Sequence, residues 1–211
     1  AIQVPRQQAR TGKRQLTANK PIGLAVDLSA MKLIPQYDLQ SLNTFHIQET
    51  CSLFGTVSSE EELRQILQSD EARQGPLHLL GGGSNVLLTQ PVNGLVLHNQ
   101  LKGIRVLEET ESEVKIEFGS GEFWHDCVMW CVEKDWGGIE NLALIPGTIG
   151  AAPIQNIGAY GAELKDVFFS LQALHLKTLE KRSFTQAECR FGYRDSIFKQ
   201  EEKGAWFILS V

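Results

Sequence analysis

Three stretches of this chain carry residue types whose spacing could do chemistry. Gly81-Gly82-Gly83-Ser84-Asn85 follows directly on the apolar run Leu77–Leu80. Successive backbone N–H groups in such a turn can form a nest for phosphate oxygens. The run is neither a GxGxxG fingerprint nor a P-loop, since no Lys-Ser/Thr pair follows it; alone it reads equally as a plain Gly-rich turn. The second stretch, residues 145–163, holds four glycines, two prolines and no charge before Glu163. It fits neither the helical nor the strand period. Its glycines let backbone come close to a ligand and its prolines fix φ, so it suits a large flat ligand, or a buried crossover with none. The third, Cys189–Lys199, interleaves Arg190 and Arg194 with Phe191, Tyr193 and Phe198. Arg194 offers a rigid fork for a carboxylate or phosphate, and Tyr193 a hydroxyl; a surface ion pair with core aromatics is the plainer alternative. Taken together, one stretch suits a pyrophosphate and another a ring system. A dinucleotide is the economical ligand joining the two.

The elements that must position these stretches are legible in outline. Ser58 or Ser59, with Glu61 or Glu62 three residues on, is a capping-box signature. Leu63, Ile66 and Leu67 follow at helical spacing, and Gly75-Pro76 breaks the helix. Leu77–Leu80 and Gly94–His98 read as strands, so residues 38–100 form a small α+β unit, with order expected from near Asn43. In residues 101–211, Ile104, Val106, Val114, Ile116 and Phe118 alternate as a hairpin around a polar turn. Glu122–Glu133 is predicted to be a helix with Trp124, Cys127, Val128 and Cys131 as its apolar stripe. Phe169–Leu176 alternates again, and Ala205–Val211 is an apolar strand that needs a partner. Residues 1–37 look like an extension, non-native or without fixed structure: Ala1–Lys20 is rich in Lys and Arg without an acid, and Met31 sits where a natural start would fit. The abrupt apolar finish points to a fragment of a longer protein.

At 211 residues and 42% hydrophobic, the chain can bury one large core or two small ones. A net charge of −5 and a pI of about 5.6 argue against nucleic acid as a partner. No apolar run approaches a membrane span. Four cysteines without a CxxC or a visible signal peptide suggest reduced thiols and a cytoplasmic location. Cys127 and Cys131 could share a helix face, but they lie on the apolar stripe without a histidine at matching spacing, so core thiols are expected and no metal site. His46, His78, His98 and His175 are scattered, and no Ser-His-Asp arrangement can be argued. Trp124, Trp130 and Trp136 are read as packing residues, and His125 as solvated or capping.

Several runs carry a resemblance: Asn43-Thr44-Phe45, Leu80–Leu87, Gly138–Gly150, Pro153–Gly161 and Cys189–Lys199. In order and spacing they are similar to the UDP-N-acetylenolpyruvoylglucosamine reductases, also called UDP-N-acetylmuramate dehydrogenases, over residues 38–211. This corresponds to the N-terminal two-thirds of such an enzyme. The resemblance implies an α+β, FAD-binding fold of the vanillyl-alcohol-oxidase (PCMH) type, built from two α+β subdomains at 38–100 and 101–211. It implies FAD as cofactor and NADPH as co-substrate. Gly81, Gly82, Gly83, Ser84 and Asn85 would hold the pyrophosphate. Ile145, Pro146, Gly147, Gly150, Ala151, Ile157, Gly158, Ala159 and Tyr160 would lie along the flavin, with Ile208 as a further contact. Arg194 matches the family's charge-stabilising arginine, and Tyr193 the adjacent substrate-contacting tyrosine. The substrate implied is UDP-N-acetylglucosamine enolpyruvate, reduced for peptidoglycan precursor synthesis by a cytoplasmic monomer. The family's proton-donating serine and catalytic glutamate belong to a third domain expected beyond Val211, so this fragment is expected to be inactive alone. Another FAD oxidoreductase of the same fold, or a non-catalytic nucleotide-binding module, are the competing readings.

Overall fold

The computed structural model describes residues 2–5 and 33–211. The remaining expectations about the leading extension lie outside the described residues. Within it, β1 (Ile2–Pro5) pairs antiparallel with a strand of the second half. The first half is a four-stranded mixed sheet of β2 (Ile34–Asp38), β3 (Thr50–Val57), β4 (Leu77–Leu80) and β5 (Val92–Asn99), in the order β2-β3-β5-β4. Its first strand starts ahead of both Asn43 and the boundary expected at residue 38. Strands β3 and β4 run parallel to β5, so the chain must cross over between them. That crossover contains α1 (Glu60–Gln68) and the short α2 (Asp70–Arg73). Ser59 is the N-cap, its side chain accepting from Glu62 N at 3.1 Å, while Glu62 accepts from Ser58 N at 2.7 Å. Leu63 and Ile66 on the inner face are buried.

The second half contains β6 (Ile104–Glu109) and β7 (Glu113–Phe118), which form the order β1-β7-β6, then α3 (Trp124–Val132). A minimal hairpin, β8 (Gly158–Ala159) and β9 (Ala162–Glu163), interrupts the irregular stretch. Next come β10 (Ser170–His175), β11 (Lys181–Thr185), α4 (Gln186–Cys189) and β12 (Trp206–Ser210); the three strands make a sheet ordered β11-β10-β12. The expected hairpin, helix and final strand are all present.

Strand β12 joins the molecule. Its backbone pairs with β10. Past its end, Val211 and Phe118 exchange backbone hydrogen bonds of 3.0 and 2.8 Å, linking this sheet to β7. Successive side chains of a strand point to opposite faces. Accordingly Phe207 and Leu209 pack with Val57, Leu63 and Leu97 of the first half. Ile208, on the opposite face, packs with Phe118, Trp124 and Ile149 of the second, and Val211, past the end of the strand, joins the same cluster. A strand buried on both faces reads as an unbroken apolar run, which is why 205–211 looked like one. One core cluster therefore spans the junction at residues 100/101. Full burial of a side chain such as Phe207 stabilises by roughly 1.5–3 kcal/mol.

Candidate functional site

The Gly81–Asn85 loop leaves the end of β4 and is pinned from two sides. On one side is the loop after β2. There the buried Asn43 donates to Leu39 O at 2.9 Å and Ile47 O at 3.0 Å, and accepts from Ile47 N at 3.0 Å. Thr44 N donates to Gly83 O at 3.2 Å. Gly83 has φ 65°, and a β-carbon there would overlap the Leu42 carbonyl oxygen, so only glycine fits. On the other side is the 147–148 segment. A β-carbon on Gly82 would stand 3.4 Å from Gly147 Cα, and one on Gly81 would be 2.6 Å from Thr148 Oγ1. Two Gly-rich loops far apart in sequence therefore lie backbone to backbone.

The irregular segment satisfies its backbone groups by borrowing partners, as buried amides require. Gly147 O accepts from Trp124 N at 3.0 Å. Ile149 N donates to Glu122 O at 2.9 Å, and Gly150 N to Ser120 O at 2.8 Å. Two side chains of α3 hold the stretch just before: Trp124 Nε1 donates to Leu142 O at 2.7 Å, and His125 Nδ1 accepts from Leu144 N at 3.2 Å. Trp124 packs in the core, as expected, and also orders this wall. His125 is half-buried and bonded rather than merely solvated.

These constraints shape a cleft of about 850 Å³. Of the expected cofactor residues, Ser84, Asn85, Ile145, Pro146, Gly147, Ala151, Ile157, Gly158, Ala159 and Tyr160 line it, and so does Arg194. Gly81, Gly82 and Gly83 are not among its lining residues. Gly150 is buried against Ser120, where a β-carbon would come within 2.7 Å of Ser120 Cβ. Ile208 borders a second, apolar cavity of about 430 Å³; Ile154 lines both spaces. Tyr193 faces a recess of about 350 Å³ that shares Gly158, Ala159, Tyr160 and Arg194 with the cleft. Sequence reasoning missed Lys199, Leu144 and Ala143 as lining residues and read Trp124 as packing alone; Thr148, Ala152, Ile154 and Gln155 fall within residues 145–160, expected along the flavin, without having been singled out. The quoted motifs contained all but Trp124, yet nothing in their residue types marked which side would face the cleft.

Arg194 occupies the tip of a tight turn closed by Gly192 and Asp195, whose amides donate to each other's carbonyl at 3.0 and 3.3 Å. Arg194 has φ 52°, in the left-handed region. Asn156, itself buried with φ 41°, donates from Nδ2 to Gly192 O at 3.0 Å. Ser196 Oγ donates to Ile154 O at 2.7 Å. The wall and the arginine arm are thus tied at two points. No side-chain hydrogen bond or ion pair engages the Arg194 guanidinium among the described residues. Away from the cleft, burial raises the thiol pKa values of Cys127 and Cys131, the latter to about 12; both sit in the main core cluster.

The cleft suits a flavin nucleotide on its own geometry: glycine backbone at Gly82 close to Gly147, a wall mixing apolar side chains with Ser84, Asn85, Thr148 and Gln155, and an Arg194 guanidinium without a partner among the described residues. Two α+β units around such a cleft define a flavin-nucleotide-binding domain of the vanillyl-alcohol-oxidase type. The chain belongs to the FAD binding domain family, which matches residues 52–177. Among curated proteins it is similar to the UDP-N-acetylenolpyruvoylglucosamine reductase of Flavobacterium johnsoniae, at 46% identity over 181 residues, 86% of this chain and 53% of that protein. Among solved structures it is similar to the UDP-N-acetylenolpyruvylglucosamine reductase of Thermus caldophilus, with a TM-score of 0.64, 22% identity, and coverage of 85% of this chain and 60% of that one. A VAO-type flavoprotein of Myceliophthora thermophila shares the fold at a TM-score of 0.55 and 13% identity, over 76% of this chain and 30% of that one. The chain spans about half the length of the curated relatives it matches, rather than the two-thirds expected.

Proposed function

We propose that this chain is the FAD-binding part of an NADPH-dependent UDP-N-acetylenolpyruvoylglucosamine reductase serving peptidoglycan precursor synthesis. The observation that carries this reading is the Arg194 guanidinium, without a partner among the described residues and carried on a hydrogen-bonded turn in the lining of the cleft. The Gly81–Asn85 loop is assigned to the pyrophosphate: Ser84 and Asn85 reach the lining, and the three glycines set the backbone approach. Residues 145–160 are assigned to the ring system, their apolar surface excluding water from it. Ile208 is assigned to a ligand group reaching past Ile154 into the second cavity.

When bound along residues 145–160, FAD would supply hydride, received from NADPH, to the enol carbon that bears no carboxylate. Negative charge would then develop as an enolate on the carboxylate side of the substrate, discharged when a proton, from a donor not assigned among this chain's residues, reaches the carboxylate-bearing carbon. The Arg194 guanidinium meets that charge with donors already in place; preorganised donors of this kind commonly account for about 2.7–4 kcal/mol of barrier lowering. Tyr193, 88% exposed beside Arg194, offers its hydroxyl to the substrate. A monomer in the cytoplasm is the setting this reading calls for. No helix among the described residues is long and apolar enough to cross a membrane.

The test separates the half-reactions in the full-length protein. Arg194→Ala should slow flavin reoxidation by the enolpyruvyl substrate by at least a hundredfold, and flavin reduction by NADPH far less. Equal slowing of both would remove Arg194 from this role. A protein that shuttles electrons to another acceptor and ignores the enolpyruvyl substrate would favour a different oxidoreductase of the same fold.

A further inference from the structure

The turn that carries Arg194 is held far more firmly than an exposed turn needs. Three of its four residues are gripped by side chains from outside. Asn156 Nδ2 donates to Gly192 O at 3.0 Å, and Lys199 Nζ donates to Arg194 O at 2.9 Å. Gln200 Nε2 donates to both carboxylate oxygens of Asp195, at 3.1 and 2.9 Å. Asn156 is in turn fixed by accepting from Lys165 N at 3.0 Å. What is gripped is a non-glycine residue in the left-handed region, a conformation that persists only where its surroundings impose it. Tyr160, across the shared recess, is also left-handed, with φ 51°. The Arg194 side chain, by contrast, has no partner among the described residues.

We propose that Lys199 is a positioning residue for Arg194: by donating to the Arg194 carbonyl it holds the left-handed turn that aims the guanidinium at an anionic carboxylate in the cleft. The bond is charge-assisted, which makes it stronger than a neutral one. It acts on the backbone of the residue whose side chain must meet the ligand. Lys199 lies in the short turn Ile197–Lys199, whose Ser196 cap is bonded to Ile154 of the wall. The ammonium's position is therefore referred to the same wall that the ligand lies on. A misplacement of about 1 Å in such a group can cost a hundredfold in rate.

This rests on the reading of Arg194 given above, and the test separates the two. In the full-length protein, K199M should slow flavin reoxidation by the enolpyruvyl substrate at least tenfold more than it slows reduction by NADPH. K199R, which keeps a charged donor, should recover most of that loss. The double variant R194A/K199M should be no slower than R194A alone, because Lys199 acts through Arg194. Independently of turnover, hydrogen exchange at the Gly192 and Asp195 amides should rise in K199M and stay unchanged in R194A. If K199M loses its flavin, K199Q, which keeps a neutral donor, takes its place. Additive losses in the double variant, or unchanged amide exchange in K199M, would overturn the positioning role. A wild-type protein not reoxidised by that substrate, or an R194A that slows both half-reactions equally, would instead overturn the reading of Arg194.

Discussion

At the scale of single residues, the arm bearing Arg194 begins at a capped turn. Thr185 caps α4, accepting from Glu188 N, while Glu188 accepts from both Thr185 N and Thr185 Oγ1 at 2.8 Å. These Thr185 bonds, the backbone one first, and then the Arg182 bond lower the Glu188 pKa to about 2. A carboxylate held below its unfolded value stabilises the fold above that value, roughly 4.3. The contribution fades as pH falls toward the folded value. Between about pH 4.5 and pH 2, Glu188→Gln should therefore show a flatter dependence of unfolding midpoint on pH than the parent, by circular dichroism. Identical slopes would mean that this box contributes nothing. Arg194 was singled out by the resemblance, since its neighbours' types left a surface ion pair open, and the structure places it in the lining of the cleft. The left-handed φ of Arg194, and the bond from Lys199 that holds it, were not legible in the sequence, since both arise from contacts outside its own run.

At the scale of elements, the site depends on how closely two loops approach. Gly81 has no room for a methyl group, because its β-carbon would stand 2.6 Å from Thr148 Oγ1 of a buried threonine. Gly82 differs, since its β-carbon would make ordinary contacts at 3.4 and 3.5 Å. Gly81→Ala should cost about 1–3 kcal/mol in denaturant unfolding and weaken FAD affinity. Gly82→Ala should be tolerated much better. Thr148→Ala in the Gly81→Ala background should recover part of the loss, as expected of residues in contact. A Gly81→Ala protein as stable as the parent would show that the loops yield. The sequence marked the glycines as a turn, suited either to an anion or to no ligand at all. Their second use, admitting the 147–148 backbone, was hidden because it needs a partner more than sixty residues on. Helices α1 and α3 were readable because cap and stripe are local signals; strand β2 was missed because its pairing with β3 is not.

At the scale of the whole molecule, the frame is held together by β12, which serves the cores of both halves. The two halves should therefore unfold in one transition rather than two. Residues 1–211 expressed alone should bind FAD, seen as flavin absorbance that survives gel filtration. The same preparation should show no steady NADPH oxidation that depends on the enolpyruvyl substrate, because no proton donor is assigned within it. Sustained turnover would overturn that expectation. The resemblance implied a division into two subdomains at residues 100/101, and core packing crosses that junction at Leu174, Phe207 and Leu209. The shared core was not legible in the sequence, since alternation tells that β12 has two faces but not what each one meets.

The two ties from the wall to the arm, Asn156 to Gly192 and Ser196 to Ile154, make the cleft a caliper. On the proposed reading one jaw would bear the ring system and the other the charge, with these two bonds between them. The span from the carbon that would accept hydride to the oxygens that would gather charge would then be a length set by the protein, and a substrate would have to match it.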